Sequence, residues 1–168
     1  VEFMDHASII ARYGWPGITG YELVDGLALI SDDTQMAMFT ANGLLFAQTR
    51  GMNRGILGPL EDYVFTAYQD WLVTQGAGAM PRPFQVTWLL DVPALHSRRA
   101  PGTTCLAAIA GGKKGTLEDP VNDSKGCGGV MRVAPVALFL PVKDRMPQQK
   151  IDLLGAKVAA LTHGHPLG

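Results

Sequence analysis

Apolar side chains recur at three- and four-residue spacings in five stretches of this chain, and almost nowhere at the two-residue spacing of a strand. A helix turns every 3.6 residues, so that spacing puts the apolar groups on one face and dictates a helical fold. Asp32 to Gln48 carries Met36, Phe39, Leu44 and Ala47 close to one stripe, with Gly43 as an interior weak point. Pro59 suits the first turn of a second helix, which sets Leu60, Val64, Tyr68, Trp71 and Leu72 in register as far as about Gln75. The Gly/Pro connector from Gly76 to Pro83 ends it. Thr103 to Ala110 is a short apolar helix bounded by Gly111 and Gly112, and Val130 to Leu140 another, bent or interrupted near Pro135. Ile151, Leu154, Val158 and Leu161 mark the last, stopped by Gly164 and Pro166. Only Tyr21 to Ile30 reads as extended. The expectation is an all-α protein without a sheet of three or more strands, forming a single domain over residues 1–168.

One helix start is chemically unusual. Ser31, Asp32, Asp33 and Thr34 open the first long helix with two adjacent carboxylates between hydroxyls. Hard divalent cations such as Mg²⁺, Mn²⁺ and Ca²⁺ take oxygen donors of this kind. The same residues also suit a plain helix start, with Ser31 as N-cap and the acids at the positive end of the dipole. Adjacent helical residues point about 100° apart, so the two carboxylates bracket an ion only from a terminus.

Asn122 to Gly129 is rich in glycine and is followed by a helical segment. Such a loop is either a flexible connector or a cradle of backbone N–H groups for an anion. Arg132, one turn further on, would pair either with a phosphate or with a carboxylate of the fold, and the structural pairing is preferred. His163 and His165 are two apart with no third nitrogen ligand near them, which is thin ground for zinc. His6 and His96 read as ordinary histidines, and Glu2 by itself as a solvated charge at a chain end.

Composition removes several classes of function. Hydrophobic residues are 47% and charged residues 17% of the chain, as in a globular protein. The net charge of −1 is spread without a Lys/Arg stripe, so no nucleic-acid backbone is expected as a direct partner. No apolar run is long enough for a membrane span, and the first residues lack a basic stretch followed by an apolar one, the mark of a signal peptide. Cys105 and Cys127 have neither zinc spacing nor disulfide density, so reduced thiols in a cytoplasmic protein are expected.

Five pieces of the chain, in order, resemble the ADP-ribosylglycohydrolase family, which includes the dinitrogenase reductase-activating glycohydrolases. They are V-E-F at Val1 to Phe3, I-S-D-D-T-Q-M at Ile30 to Met36, R-A-P-G-T-T-C-L at Arg99 to Leu106, N-D-S-K-G-C-G-G-V-M-R-V-A-P at Asn122 to Pro135, and L-T-H-G-H-P at Leu161 to Pro166. The resemblance implies a compact multi-helix orthogonal bundle. It also implies hydrolysis of the glycosidic bond between ADP-ribose and a protein side chain or other acceptor. In the family a binuclear Mg²⁺ or Mn²⁺ site assists this, and ADP-ribosylated proteins or small ADP-ribose compounds are the partners. By this resemblance Ser31, Asp32 and Asp33 are metal ligands, Glu2 and Asp33 catalytic, and Ser124, Lys125, Gly126, Cys127, Gly128 and His163 substrate contacts. Arg99 would anchor a turn. The family's G-D-A-L-G segment and its second metal segment, of Asp-Thr-Asp-Thr type, have no match here. The resemblance therefore implies the N-terminal portion of a longer enzyme, truncated at both ends, in which half the metal cage is missing and isolated activity is near zero. A second expectation is a relative without turnover, crystallin-like or merely nucleotide-binding.

Overall fold

The computed structural model describes residues 4–79, 81–139 and 147–167. The chain forms two compact units, Val1–Ile30 and Ser31–Gly168. Among the described residues the only sheet is a two-stranded one, so the fold is all-α, as the spacing predicts. No helix is long and apolar enough to cross a membrane among those residues.

The first unit holds α1 (His6–Tyr13) and a hairpin of β1 (Leu23–Val24) and β2 (Leu27–Ala28). Asp5 caps α1 by accepting from the Ser8 backbone N–H at 2.7 Å, which satisfies one of the free donors at a helix start. Helix α1 is only eight residues long and buries none of them, and the spacing argument misses it. The hairpin pairs Leu23 with Ala28 and Val24 with Leu27. Asp25 and Gly26 both have positive φ, the conformation that a tight two-residue hairpin turn demands. This is the segment that reads as extended.

The second unit is built on α2 (Asp32–Arg54) and α3 (Leu60–Thr74), joined by α4 (Thr103–Ala110), α5 (Ala134–Phe139) and α6 (Gln148–Ala160). Helix α2 runs to Arg54, beyond the expected end at Gln48, and stops where Gly55 takes the left-handed conformation. The expected helix from Val130 splits into a single 3-10 turn, Val130–Arg132, and the short α5, with Leu140 outside the described residues. Met36, Phe39 and Leu44 of α2 meet Val64, Tyr68 and Trp71 of α3 in one core, closed by Leu89, Ile109, Val136, Val158 and Leu161. Each such side chain contributes roughly 1.5–3 kcal/mol when fully buried.

Gly43 is not a weak point. A Cβ there would lie 2.9 Å from Val64 Cα and 3.0 Å from the Tyr63 carbonyl oxygen, so α2 and α3 approach through the missing side chain. Gly43→Ala gains helix propensity of about 1 kcal/mol but forces two backbones apart. The expected net result is a destabilisation of about 1–3 kcal/mol in urea unfolding, the usual cost of overpacking.

The connector after α3 is fastened through Asp70, whose side chain is fully buried. It pairs with Arg82 and accepts from the backbone N–H groups of Val86 and Thr87, both at 2.9 Å. A buried carboxylate with a cation and two N–H donors is satisfied, and the connector is held against α3.

Candidate functional site

The start of α2 is shaped by the turn Ser97 to Gly102. The Asp32 N–H donates to the Arg99 carbonyl at 3.0 Å, and the Gly102 backbone amide lies near enough to favour the ionised Asp32 carboxylate. The Gln35 amide donates to the Ser97 carbonyl at 3.2 Å. Arg99 therefore anchors a turn, through its carbonyl and through its Nε, which donates to Ser97 Oγ at 3.0 Å. Ala100 in this turn has φ +59°, a strained value for a residue with a Cβ. Gln35 is the polar residue that the apolar-stripe reading overlooks. It is fully buried, and its carbonyl oxygen accepts from Trp71 Nε1 at 3.2 Å and from the Gln75 amide at 3.0 Å.

Asp32 and Asp33 part company at this terminus. Asp32 is buried, 7% exposed, while Asp33, Ser31 and Thr34 are exposed. Ser31 sits at the N-cap position with extended backbone, yet its hydroxyl makes no capping bond and donates to Asp33 Oδ2 at 2.8 Å. Burial first, and then the neighbouring Asp33 charge, push the Asp32 carboxyl above the ordinary carboxylate range. Neither carboxylate pairs with Lys, Arg or His among the described residues. Two hard oxygen acids and a hydroxyl, unneutralised and partly open, fit a divalent cation in kind. Among the described residues no group of three His, Cys, Asp or Glu side chains gathers to hold a metal, so this terminus offers a partial donor set. Glu2 lies outside the described residues.

The glycine loop rests on the end of α6. The Asn122 amide donates to the Thr162 carbonyl at 2.8 Å, and its oxygen accepts from the N–H groups of Ser124 and Gly164 at 3.0 and 3.1 Å. The His165 N–H donates to the Ser124 carbonyl at 3.2 Å. Contact is so close that a Cβ on Gly164 would stand 2.0 Å from the Asn122 carbonyl oxygen, and one on Gly115 2.2 Å from that of Ala160. The loop leads only into the three-residue 3-10 turn, so a helix dipole adds nothing to anion binding there. Its own polar groups remain: Lys125, Gly126 and Cys127 are exposed, and Ser124 and Gly128 are half-buried.

His163 lies beneath this loop. A Cβ on Gly128 would be 2.7 Å from its Cε1, and one on Gly126 3.5 Å from its Nε2. The ring also lines a cavity of about 160 Å³ with Thr116, Leu117 and His165. Thr162 Oγ1 stands 2.9 Å from His163 Nδ1 and accepts from Arg132 at 2.6 Å. Arg132 is fully buried, has no carboxylate partner among the described residues, and also donates to the carbonyls of Val158 and Ala159 at 3.2 and 3.3 Å. Its guanidinium lies 4.6 Å from the Tyr68 ring centre. The structural role holds, with carbonyls and a ring in place of the expected carboxylate. Cys105, beside Arg132, has its thiol pushed up by burial, whereas Cys127 is free and exposed. The structure thus brings Cys105, Arg132, Thr162, His163 and Gly128 into one connected set.

Burial, and secondarily the Arg132 charge, hold the His163 imidazole below its ordinary pKa of 6.5. Well above pH 6.5 the ring is neutral in both folded and unfolded chains and has no effect on the balance. Below it the unfolded chain takes up a proton that the folded one refuses, so stability falls as pH falls, by at most about 1.4 kcal/mol per pH unit. The urea midpoint should drop as pH descends through 6.5, and His163→Phe should flatten that slope.

Compared with known families, residues 1–168 match the family model described as ADP-ribosylglycohydrolase. Comparison with curated proteins and with solved structures finds no match.

Proposed function

The chain belongs to the ADP-ribosylglycohydrolase family, and from that premise we propose a metal-dependent hydrolase that cleaves the glycosidic bond between ADP-ribose and a protein side chain or other acceptor. Residues 1–168 are taken as belonging to one domain of that enzyme. The observation that carries the reading is the carboxylate pair Asp32 and Asp33 at the start of α2, without a cationic partner among the described residues, in a chain matched by the family over its whole length. Ser31, Asp32 and Asp33 would hold Mg²⁺ or Mn²⁺. Such cations, when bound, orient hydroxyl groups and make water more acidic.

Glycosidic cleavage passes through an oxocarbenium-like state and is served by paired carboxyl groups. Here Asp33, with Glu2, would accept the proton of the attacking water. Asp33 suits this better than Asp32, because it is exposed and held by the Ser31 hydroxyl, whereas Asp32 is committed to the Gly102 turn. Ser124, Lys125 and the backbone of Gly126 to Gly128 would contact the diphosphate, with the Lys125 ammonium offsetting its charge. Cys127 lines that contact and needs no nucleophilic role. The free state of Cys105 and Cys127 supports a cytoplasmic setting.

The test is release of free ADP-ribose from an ADP-ribosylated protein. It uses a protein that carries this chain together with the family's second metal segment. Release that requires Mg²⁺ or Mn²⁺ and stops with a chelator is the expected result; metal-independent release, or none, would refute the reading. In calorimetry the 168-residue chain itself should bind Mn²⁺ only weakly, because two carboxylates and a hydroxyl leave an octahedral ion largely water-coordinated.

A further inference from the structure

We infer that Thr162 and Arg132 fix His163 in its neutral Nε2–H form, making it a hydrogen-bond donor under the glycine loop and not a proton acceptor. The argument is one of donors and acceptors. Arg132 carries only donors, so at 2.6 Å the Thr162 hydroxyl oxygen must accept from it. The hydroxyl still has one hydrogen to place. Its other described partner is His163 Nδ1 at 2.9 Å, and Cys105, which lies near, offers only a weak sulfur acceptor. Nδ1 therefore receives the hydroxyl hydrogen and carries none, and the ring proton sits on Nε2.

Nε2 is the notable atom. His163 is 5% exposed, yet Nε2 has no protein partner among the described residues. It faces the floor of the loop, where a Cβ on Gly126 or Gly128 would be 3.5 or 3.0 Å away. Nε2 is not among the buried polar atoms left without a partner, so it is open to an acceptor from outside the protein. A phosphate or ribose oxygen is such an acceptor. The identity of that acceptor rests on the reading of the loop as the ADP-ribose contact; the ring tautomer does not. Thr162 and Arg132 are thus positioning residues, acting through His163.

Ring ¹⁵N NMR above pH 6.5 reports which nitrogen bears the proton. The wild-type chain and Thr162→Ser should both show Nε2–H with a bare Nδ1. Thr162→Val should lose that selection and populate Nδ1–H. Titrated with ADP-ribose, Thr162→Ser should bind like the wild type, and Thr162→Val roughly two- to tenfold more weakly, the worth of one hydrogen bond. Nδ1–H in the wild type, or an unchanged tautomer in Thr162→Val, would overturn the inference. If Thr162→Val fails to fold, the wild-type and Thr162→Ser spectra still decide it. A wild type that shows Nε2–H but does not bind ADP-ribose would leave the tautomer standing and overturn the reading of the loop.

Discussion

Arg132→Ala is expected to cost the helical unit at least about 4 kcal/mol, enough to lower its thermal midpoint by roughly 10 °C or to unfold it. Arg132 is fully buried and joins three elements of the core. From the 3-10 turn it reaches two carbonyls and the Thr162 hydroxyl at the end of α6, and covers the Tyr68 ring of α3. Hydrogen bonds from a charged donor are worth about 1.5–3 kcal/mol each, and a desolvated cation over a ring about 2 kcal/mol. Truncation also strands those acceptors and leaves a cavity. Arg132→Lys should recover only part of the loss, because a single ammonium cannot keep a fork of donors and a flat face on the ring. Calorimetric melting of the two variants measures this. A midpoint for Arg132→Ala within a degree or so of the parent would show that the buried guanidinium holds nothing together.

The second large effect is on turnover. Asp33→Asn should leave the melting temperature unchanged while lowering ADP-ribose release by roughly a hundredfold or more, the range for loss of a catalytic carboxylate. The side chain is exposed and its described bond is to the Ser31 hydroxyl, which the amide oxygen of Asn can still accept. What disappears is a charge where cation and proton transfer need it. The measurement is made with Mg²⁺ or Mn²⁺ in a protein carrying both metal segments, with Mn²⁺ affinity determined alongside. Parent-like turnover in Asp33→Asn would remove Asp33 from the proposed mechanism. Lost turnover with unchanged Mn²⁺ affinity would assign it to proton transfer and not to holding metal.

Helix by helix, legibility depended on burial. Helix α4 falls on the expected residues because a short apolar run sits between glycines, and α3 because it presents a continuous stripe to the core. Helix α1 is too short, at eight residues, for its apolar period to stand out, and the tail of α2 is exposed or half-buried, so the period carries no information there. The adjacency of Asp32 and Asp33 could be read from the chain, but not which of them is buried. That is decided by the Arg99 to Gly102 turn, distant in sequence and nearby in space. Gly43 misleads for the same reason: its use is visible only once Val64 is opposite. The Thr162 and His163 arrangement depends on Arg132 arriving from another element, and no spacing rule announces it.

The meeting of the glycine loop with the end of α6 has a consequence for how this surface opens and closes. The Asn122 side-chain amide bonds the Thr162 carbonyl and the Gly164 N–H, the His165 N–H bonds the Ser124 carbonyl, and no side chain stands between Gly164 and the Asn122 carbonyl. Within the loop the described bonds are few, chiefly Ser124 N–H to the Asn122 side chain and Gly126 N–H to the Ser124 hydroxyl, so much of its placement comes from the end of α6. Loop and helix therefore share one opening free energy and exchange their amide hydrogens as a single cooperative unit. Any molecule gripping residues 122–128 also stabilises the last turn of α6, by an amount that grows with its concentration relative to its Kd.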